Sequence, residues 1–231
     1  DGITAEFWLK VPNTSSTRYI MHVTGATAGE IVLTLDPLDR LTMYMGTGSS
    51  GAPLSAVRVL DGAISSAFNT WNHYAVTVLS SSAGLTFKGF KNGQLKKTTV
   101  DVRHLPTILP AENGLNMTIA ASAAGGNFLT GSIDEFRYWK KAKTTEEVYN
   151  NWFTAIGGGT NKHDSNVALG LYFKFNEGIT TDTSLDSIAL DYSGRINNGT
   201  IVGYDTTMRS TNSAITEKLG EPEFLDPIIY S

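Results

Sequence analysis

The sequence predicts an all-β protein: an antiparallel sandwich of two sheets, with one short helix after the strand at residues 131–139. Short apolar segments are separated by turns rich in Gly, Pro, Asn, Asp and Ser. Their spacing of roughly 8–12 residues is typical of sandwiches and not of parallel α/β sheets. No repeat of fixed period is present, which argues against a propeller or a solenoid.

The composition narrows the class of function. The 231 residues are 41% hydrophobic, enough for a sizeable core in one large domain or two small ones. The net charge is -4, and the one basic run lies at residues 140–143, so we expect no nucleic-acid partner. No apolar run approaches the ~20 residues of a membrane helix, so we expect no membrane insertion. Because there are no cysteines, disulfides, thiol nucleophiles and cysteine-based metal sites are excluded.

Alternating apolar residues define the predicted strands. In residues 3–11 and 71–79 every second residue belongs to one buried face. Residues 85–90 and 94–100 flank Asn92-Gly93, a dipeptide favoured in two-residue hairpins. The other predicted strands are residues 19–23, 30–35, 41–45, 56–60, 115–119, 131–139, 169–175 and 200–204.

A helix start follows the strand at residues 131–139. Thr144 or Thr145 can cap it, and Glu146 or Glu147 can complete a capping box. We expect the helix to span residues 145–154. The apolar stripe that it would bury consists of Val148, Tyr149, Trp152 and Phe153.

The charges within residues 131–139 do not form a glycosidase site. Retaining glycosidases need two carboxylates about 5–5.5 Å apart, whereas Asp134 and Glu135 are adjacent and would point to opposite faces of a strand. Glu135 and Arg137 are two residues apart and are expected to pair. The four histidines, which share no metal-binding spacing, are His22, His73, His104 and His163. The sequence therefore predicts no catalytic residues, and a protein that is not an enzyme.

Four segments in this order resemble the laminin G-like, concanavalin A-like lectin-glucanase jelly-roll family: residues 5–10, 71–77, 90–95 and 131–138. A fifth piece, residues 171–178 with 191–200, resembles the first strand of that family and its Asp-x-Ser-Gly-x-x-Asn-x-Gly-Thr loop. The resemblance covers about residues 3–204 and implies a jelly-roll sandwich.

The order of the pieces departs from the family, in which the fifth piece comes first. Either the domain is permuted and closed by residues 167–204, or a second module begins at residue 167. The apolar face of residues 171–175 favours closure, because a lone hairpin is marginally stable. We expect one domain at residues 1–204, with 205–231 as a linker or the start of another module.

The resemblance also implies a calcium site at the rim of the sandwich. Calcium prefers six to eight oxygen ligands. The candidate ligands are Asp191, Asn197 and Asn198, with Glu177 or Asp134 completing the set. The alternative is an Asx-turn in which Asp191 binds the amides of its own loop.

Glycan recognition needs exposed aromatic side chains beside polar groups. Trp8 lies opposite the buried face of its strand and Trp139 ends residues 131–139, so both are candidate ligand-binding residues. Trp71 and Trp152 are expected in the core. Loops at residues 46–53 and 122–127 are candidates to shape such a site.

The resemblance implies a non-enzymatic adhesion module of a larger exterior protein, which binds a glycan, a protein or neighbouring subunits. Because residues 220–230 resemble a junction in structural proteins of tailed marine bacteriophages, we expect an extracellular or virion-surface location. The first residue is Asp1, so we also expect a piece cut from a longer chain. The alternatives are a purely structural packing domain of a virion and a glycan-degrading enzyme.

Overall fold

The computed structural model describes residues 2–25, 29–46, 55–64, 68–102, 115–156, 167–209 and 213–215. Within these residues the chain forms thirteen strands and two short α-helices. The strands are β1 (Gly2–Lys10), β2 (Arg18–Gly25), β3 (Glu30–Leu35), β4 (Leu41–Gly46), β5 (Ser55–Arg58), β6 (Asn72–Ser81), β7 (Gly84–Lys91), β8 (Gln94–Asp101), β9 (Leu115–Ile119), β10 (Ser132–Trp139), β11 (Leu169–Phe173), β12 (Ile188–Ala189) and β13 (Gly199–Thr200). The helices are α1 (Thr145–Asn151) and α2 (Thr183–Asp186).

Two large antiparallel sheets pack face to face. The six-stranded sheet has the order β11-β10-β1-β6-β7-β8, and the five-stranded sheet has the order β5-β4-β3-β2-β9. The core between them is apolar and includes Phe7 stacked on Phe136, with ring centroids 6.3 Å apart. The predicted two-sheet all-β sandwich is confirmed.

The six-stranded sheet is buried on both faces. In β1, Ala5 and Phe7 enter the core between the sheets, while Glu6 and Trp8 point outward, as the alternation predicts. All four side chains are nevertheless buried. Trp152, which caps the end of α1, lies against Trp8 with ring centroids 5.6 Å apart. The segment around α1 therefore covers the outer face of this sheet.

The β7–β8 hairpin turns at Asn92-Gly93, as predicted. Both residues have positive φ, 49° and 76°, which matches the right-handed twist of the flanking strands. A Cβ atom on Gly93 would lie 2.3 Å from the ring of Trp152. The glycine therefore serves both the turn and the close approach of the indole.

The capping box is confirmed at the start of α1. The hydroxyl of Thr144 accepts the backbone N–H of Glu147 at 3.1 Å, and the Glu147 carboxylate accepts the N–H of Thr144 at 2.8 Å. The predicted extent was wrong, since the helix ends at Asn151 and leaves Tyr149 and Phe153 exposed. No helix within the described residues is long and apolar enough to cross a membrane.

Residues 167–209 pack against the sandwich. Strand β11 pairs with β10 and forms an edge of the six-stranded sheet, which is the arrangement expected if this region closes the domain. The strand predicted at residues 200–204 is reduced to β13, which pairs only with β12. Helix α2 was not predicted; Asp182 caps it by accepting the N–H of Ser184.

The chain remains in contact with the domain after residue 204. Arg209 donates hydrogen bonds to the backbone carbonyls of Asp186 and Ile188, and Ala214 is fully buried beside Trp8 and Trp71. A boundary at residue 204 would cut these contacts, so at least residues 205–209 and 213–215 belong to the packed structure and do not form a linker.

Candidate functional site

A buried charge cluster lies on the outer face of the six-stranded sheet. The carboxylate of Glu6 accepts hydrogen bonds from Nζ of Lys143 at 3.1 Å and from Nε1 of Trp139 at 2.7 Å. Nη1 of Arg137 lies 3.7 Å from the same carboxylate. Burial alone would raise the pKa of Glu6, but the charges of Lys143 and Arg137 outweigh burial and lower it to about 2. The cluster is an internal structural network.

The prediction that Trp8 and Trp139 face a ligand is not supported by their positions. Trp8 is fully buried, and its ring packs against those of His73 and Trp152. Trp139 is buried beside Lys143, whose ammonium group lies 4.4 Å from the ring centroid. Both indoles serve packing and the charge cluster, because the segment around α1 covers the face on which they lie.

Glu135 and Arg137 form the predicted pair. Nη2 of Arg137 lies 2.7 Å from a carboxylate oxygen of Glu135, and the hydroxyl of Tyr172 donates to the same oxygen. The guanidinium group of Arg137 also stacks on the ring of Tyr172, 5.0 Å from its centroid. Strand β11, which carries Tyr172, is thus joined to β10 by side chains as well as by backbone pairing.

The prediction that Asp134 and Glu135 point to opposite faces was wrong. A β-bulge places two residues of β10, Glu135 and Phe136, opposite the single residue Phe7 of β1. Glu135 adopts a positive φ of 50°. The extra residue resets the alternation, so that both carboxylates lie on the outer face of the sheet.

Asp134 is occupied by backbone amides. Its carboxylate accepts the N–H of Ala214 at 2.8 Å and the N–H of Glu135 at 2.9 Å. Burial, which outweighs these hydrogen bonds, raises the pKa of Asp134 to about 6. Asp134 therefore anchors the segment 213–215 to the sheet.

The Asp191 loop has the geometry of an Asx-turn. One carboxylate oxygen of Asp191 accepts the N–H groups of Tyr172 and Ser193, and the other accepts the Ser193 hydroxyl and the N–H of Asn197. The side-chain oxygen of Asn198 accepts the N–H of Asp191. No group of three or more His, Cys, Asp or Glu side chains that could hold a metal occurs in the described part of the chain. These residues therefore do not fit a calcium site as they are arranged.

Glu177 forms an ion pair with a cationic side chain instead of joining Asp191 in a shared metal site. Its carboxylate accepts the N–H of Leu190 at 2.9 Å and bonds Nη1 of Arg209 at 2.7 Å. Nε and Nη2 of Arg209 donate to the carbonyls of Asp186 and Ile188. This clamp joins three stretches of chain, around residues 177, 186–188 and 209.

A wide groove of about 2220 Å³ is lined by residues of β9 and β11, which are edge strands of the two sheets. One wall is formed by β9, residues 120–129 and the start of β10. The other is formed by β11, residues 175–179, 197–202 and 207–209. A cleft of this size is larger than the ~300–1,000 Å³ typical of small-molecule pockets and suits an extended ligand.

An exposed aromatic side chain stands in this groove. Phe128 is 68% exposed and directly follows residues 122–127, one of the predicted site-shaping loops. Exposed amide side chains also line the groove, namely those of Asn116, Asn176, Asn197 and Asn198. Sequence reasoning considered only the tryptophans and missed Phe128; an aromatic residue directly after a Gly-rich loop was the available signal. The loop at residues 46–53 lies outside the described residues apart from Gly46, as do His104 and His163.

Comparisons with known proteins identify the family. The model of the concanavalin A-like lectin/glucanases superfamily matches residues 1–149. The chain belongs to this superfamily. The resemblance drawn from the sequence is thus confirmed at the level of the family. No curated protein matches the sequence.

Three solved structures are similar to this chain, and the first of them supports the same fold. A protein from Bacteroides ovatus ATCC 8483, to which carbohydrate binding is ascribed, shares 20% identity over 86% of this chain with a TM-score of 0.56. The alignment covers 51% of that protein, so this chain matches about half its length. The Limulus polyphemus SAP-like pentraxin shares 17% identity over 64% of this chain and 68% of its own (TM-score 0.46). The CBM40 of the Ruminococcus gnavus IT-sialidase, bound to α2,3 sialyllactose, shares 13% over 66% and 83% (TM-score 0.48).

In this member of the concanavalin A-like lectin/glucanases superfamily, the two walls of the groove differ in origin. The wall with β9 and Phe128 lies inside the matched residues 1–149. The wall formed by residues 170–179 and 197–209 lies outside them. The C-terminal region therefore supplies half of a surface that the family-matched part leaves open.

Proposed function

We propose that this chain is a non-catalytic glycan-binding module and that the groove carrying Phe128 is its binding site. The exposed ring in a groove lined by amide side chains is the observation that carries the proposal. Sugars present C–H faces that stack on aromatic rings and hydroxyl groups that bond to amides. Carbohydrate binding ascribed to the Bacteroides ovatus protein of the same fold supports the same function.

The carboxylates bordering the groove support a non-catalytic role. Asp134 and Glu177 line it, but both oxygens of Asp134 accept backbone N–H groups, and those of Glu177 bind Leu190 and Arg209. Carboxylates whose oxygens are all hydrogen-bonded within the protein stabilise the structure and are poorly suited to act on a glycosidic bond. Incubation with laminarin and agarose tests this directly, and the appearance of new reducing ends would overturn the non-catalytic part.

A glycan array with the whole chain tests the proposal. We expect at least one class of glycan to bind, and Phe128→Ala to weaken that binding. The matched control is Tyr149→Ala, since Tyr149 is 58% exposed on α1 and does not line the groove. Absence of any binder, or equal loss in both variants, would contradict the proposal.

A second candidate is contact with another protein subunit. Residues 179–208 expose several large apolar side chains, including Ile196 (81% exposed) and Val202 (91% exposed). A contiguous patch of exposed apolar side chains would mark a protein interface. Light scattering after size exclusion tests it: a concentration-dependent dimer that Ile196→Ser disrupts would support subunit packing.

The location of the protein belongs to the same proposal. A glycan-binding module works where glycans are, so we propose an exterior position, at the cell exterior or on a virion surface. The bacteriophage context rests on the resemblance of residues 220–230, which lie outside the described residues. The coding sequence on either side of this chain tests it, since virion genes would be expected there.

A further inference from the structure

We infer that the groove takes an uncharged glycan, an oligosaccharide without carboxylate or sulfate groups, and discriminates against acidic ones. This inference rests on the glycan-binding function proposed above and specifies the class of ligand. Three features of the described lining residues carry it: the state of their charged groups, the nature of their polar groups, and the distribution of their apolar side chains.

The charged groups of the lining are few and mostly committed to the protein. They are Asp134, Lys140, Glu177 and Arg209. The guanidinium group of Arg209 binds the Glu177 carboxylate at 2.7 Å and the carbonyls of Asp186 and Ile188. It cannot turn toward an anionic ligand without breaking the clamp that forms one wall.

Lys140 alone does not make an anion site. It is an exposed side chain directly after β10. Recognition of carboxylate or sulfate groups usually relies on planar guanidinium forks or several clustered cations. A single solvated ammonium group contributes little, because the high dielectric constant of water weakens its attraction.

Apart from these four charged residues, the polar side chains that line the groove are uncharged. Asn116 stands on β9, Asn176 follows β11, and Asn197 and Asn198 belong to the Asp191 loop. A carboxamide carries donors and an acceptor, so it can bond the paired donor and acceptor functions of sugar hydroxyls. The oxygen of Asn198 already accepts the N–H of Asp191, so this side chain offers mainly its amide hydrogens. Amide-bearing residues occur on both walls, which suits a ligand that crosses the groove.

Apolar side chains complete the surface. Phe128 stands on one wall, and Ile179, Val202 and Met208 stand on the other. All four are exposed. The C–H faces of neutral sugars pack on such groups, whereas a carboxylate or sulfate placed against them would lose its hydration.

Isothermal titration calorimetry of the whole chain with matched oligosaccharides tests the inference. The neutral probes are laminarihexaose, cellohexaose and agarohexaose; the acidic probes are hexameric oligomannuronate and a carrageenan hexasaccharide. We expect a neutral probe to bind at least about tenfold more tightly than either acidic probe. Its affinity should change by less than about twofold between about 50 and 500 mM NaCl, since no charge pair forms.

Two variants assign the effect to the groove. Phe128→Ala should weaken neutral binding by about tenfold, about 1.4 kcal/mol, while Lys140→Ala should change it by less than about twofold. An unchanged melting temperature shows that both variants fold. Tighter, salt-sensitive binding of an acidic probe that Lys140→Ala removes would overturn the inference and leave the proposed function standing. Binding of no probe, together with a blank array, would overturn both.

Discussion

The indole N–H of Trp139 donates a hydrogen bond to the carboxylate of Glu6, with Nε1 and Oε1 2.7 Å apart. The bond joins the end of β10 to the middle of β1, beneath the segment that carries α1. It explains why a tryptophan that looks available for a ligand is buried. Its partner is a charge that must itself be neutralised within the protein.

Removal of Glu6 should destabilise the fold strongly. In Glu6→Ala, Lys143 and Arg137 stay buried without their shared carboxylate, and breaking a buried pair in this way costs about 3–5 kcal/mol. Urea unfolding measures the change in the free energy of unfolding. The control is Asp61→Ala, which removes an exposed pair with Lys97 at 3.3 Å and should cost less than ~1 kcal/mol. An equal loss of unfolding free energy in the two variants would show that the buried cluster contributes no more to stability than an exposed ion pair.

His73 should make the folded protein less stable as the pH is lowered. Burial lowers the pKa of His73 from 6.5 to about 3, although the negative charge of Glu6 opposes the shift. Below about pH 6.5 the imidazole of His73 is protonated in the unfolded chain, whereas in the native chain it stays neutral down to about pH 3. The contribution of His73 to the free energy of unfolding should therefore decrease by up to about 1.4 kcal/mol per pH unit across this window. Asp134 acts in the opposite direction below about pH 6, because its raised pKa lets the native chain bind a proton before the unfolded chain does. The slope that His73 causes is thus the difference between the wild type and a variant that lacks the imidazole. Urea unfolding between about pH 7 and pH 4 measures the slope, and His73→Gln should reduce it. An identical slope in the variant would contradict the assignment.

Gly89 should tolerate no side chain. A Cβ atom at this position in β7 would lie 1.7 Å from the carbonyl oxygen of Val59, a backbone atom that cannot rotate away. Gly89→Ala should therefore cost at least about 2 kcal/mol of unfolding free energy, in the range of overpacked cores. Gly178→Ala is the matched control, because nothing lies within 4 Å of its Cβ position. A shift in melting temperature for Gly178→Ala as large as that for Gly89→Ala would argue against the clash.

Calcium should leave the melting temperature unchanged. The sequence suggested ligation by Asp191, but its carboxylate already accepts hydrogen bonds from Tyr172, Ser193 and Asn197. A ligand that binds only the native state raises the melting temperature with its concentration. Thermal melts with and without millimolar calcium measure this. An increase in melting temperature with calcium, abolished by Asp191→Asn, would contradict this expectation and support a calcium site at Asp191.

Local sequence predicted the elements whose determinants are themselves local. The Asn92-Gly93 hairpin and the Thr144–Glu147 capping box each depend on a few neighbouring residues. Alternation in β1 correctly separated Phe7 from Trp8. It did not show that the face of Trp8 is covered, because the covering residues around α1 and Ala214 are distant in the sequence.

Neither the β-bulge at Glu135 nor the groove beside Phe128 could be predicted from the neighbouring sequence. A positive φ is uncommon for glutamate. The residue type at position 135 therefore gives no sign that the inward–outward alternation of β10 shifts by one residue there. Phe128 lines a groove only because residues 170–179 and 197–209 form the opposite wall. Pairing of β11 with β10 positions part of that wall, and the paired residues are 30 to 37 positions apart in the sequence, from Trp139↔Leu169 to Phe136↔Phe173.

Chemical-shift mapping tests the groove most directly. The ¹⁵N-labelled chain is titrated with the glycan that binds most tightly on the array, and the backbone amide shifts are followed. We expect the largest changes at Phe128, Asn116 and Asn176, with little change in α1 or β8. Changes centred on α1 and the outer face of the six-stranded sheet, with none at Phe128, would contradict the assignment of the binding site.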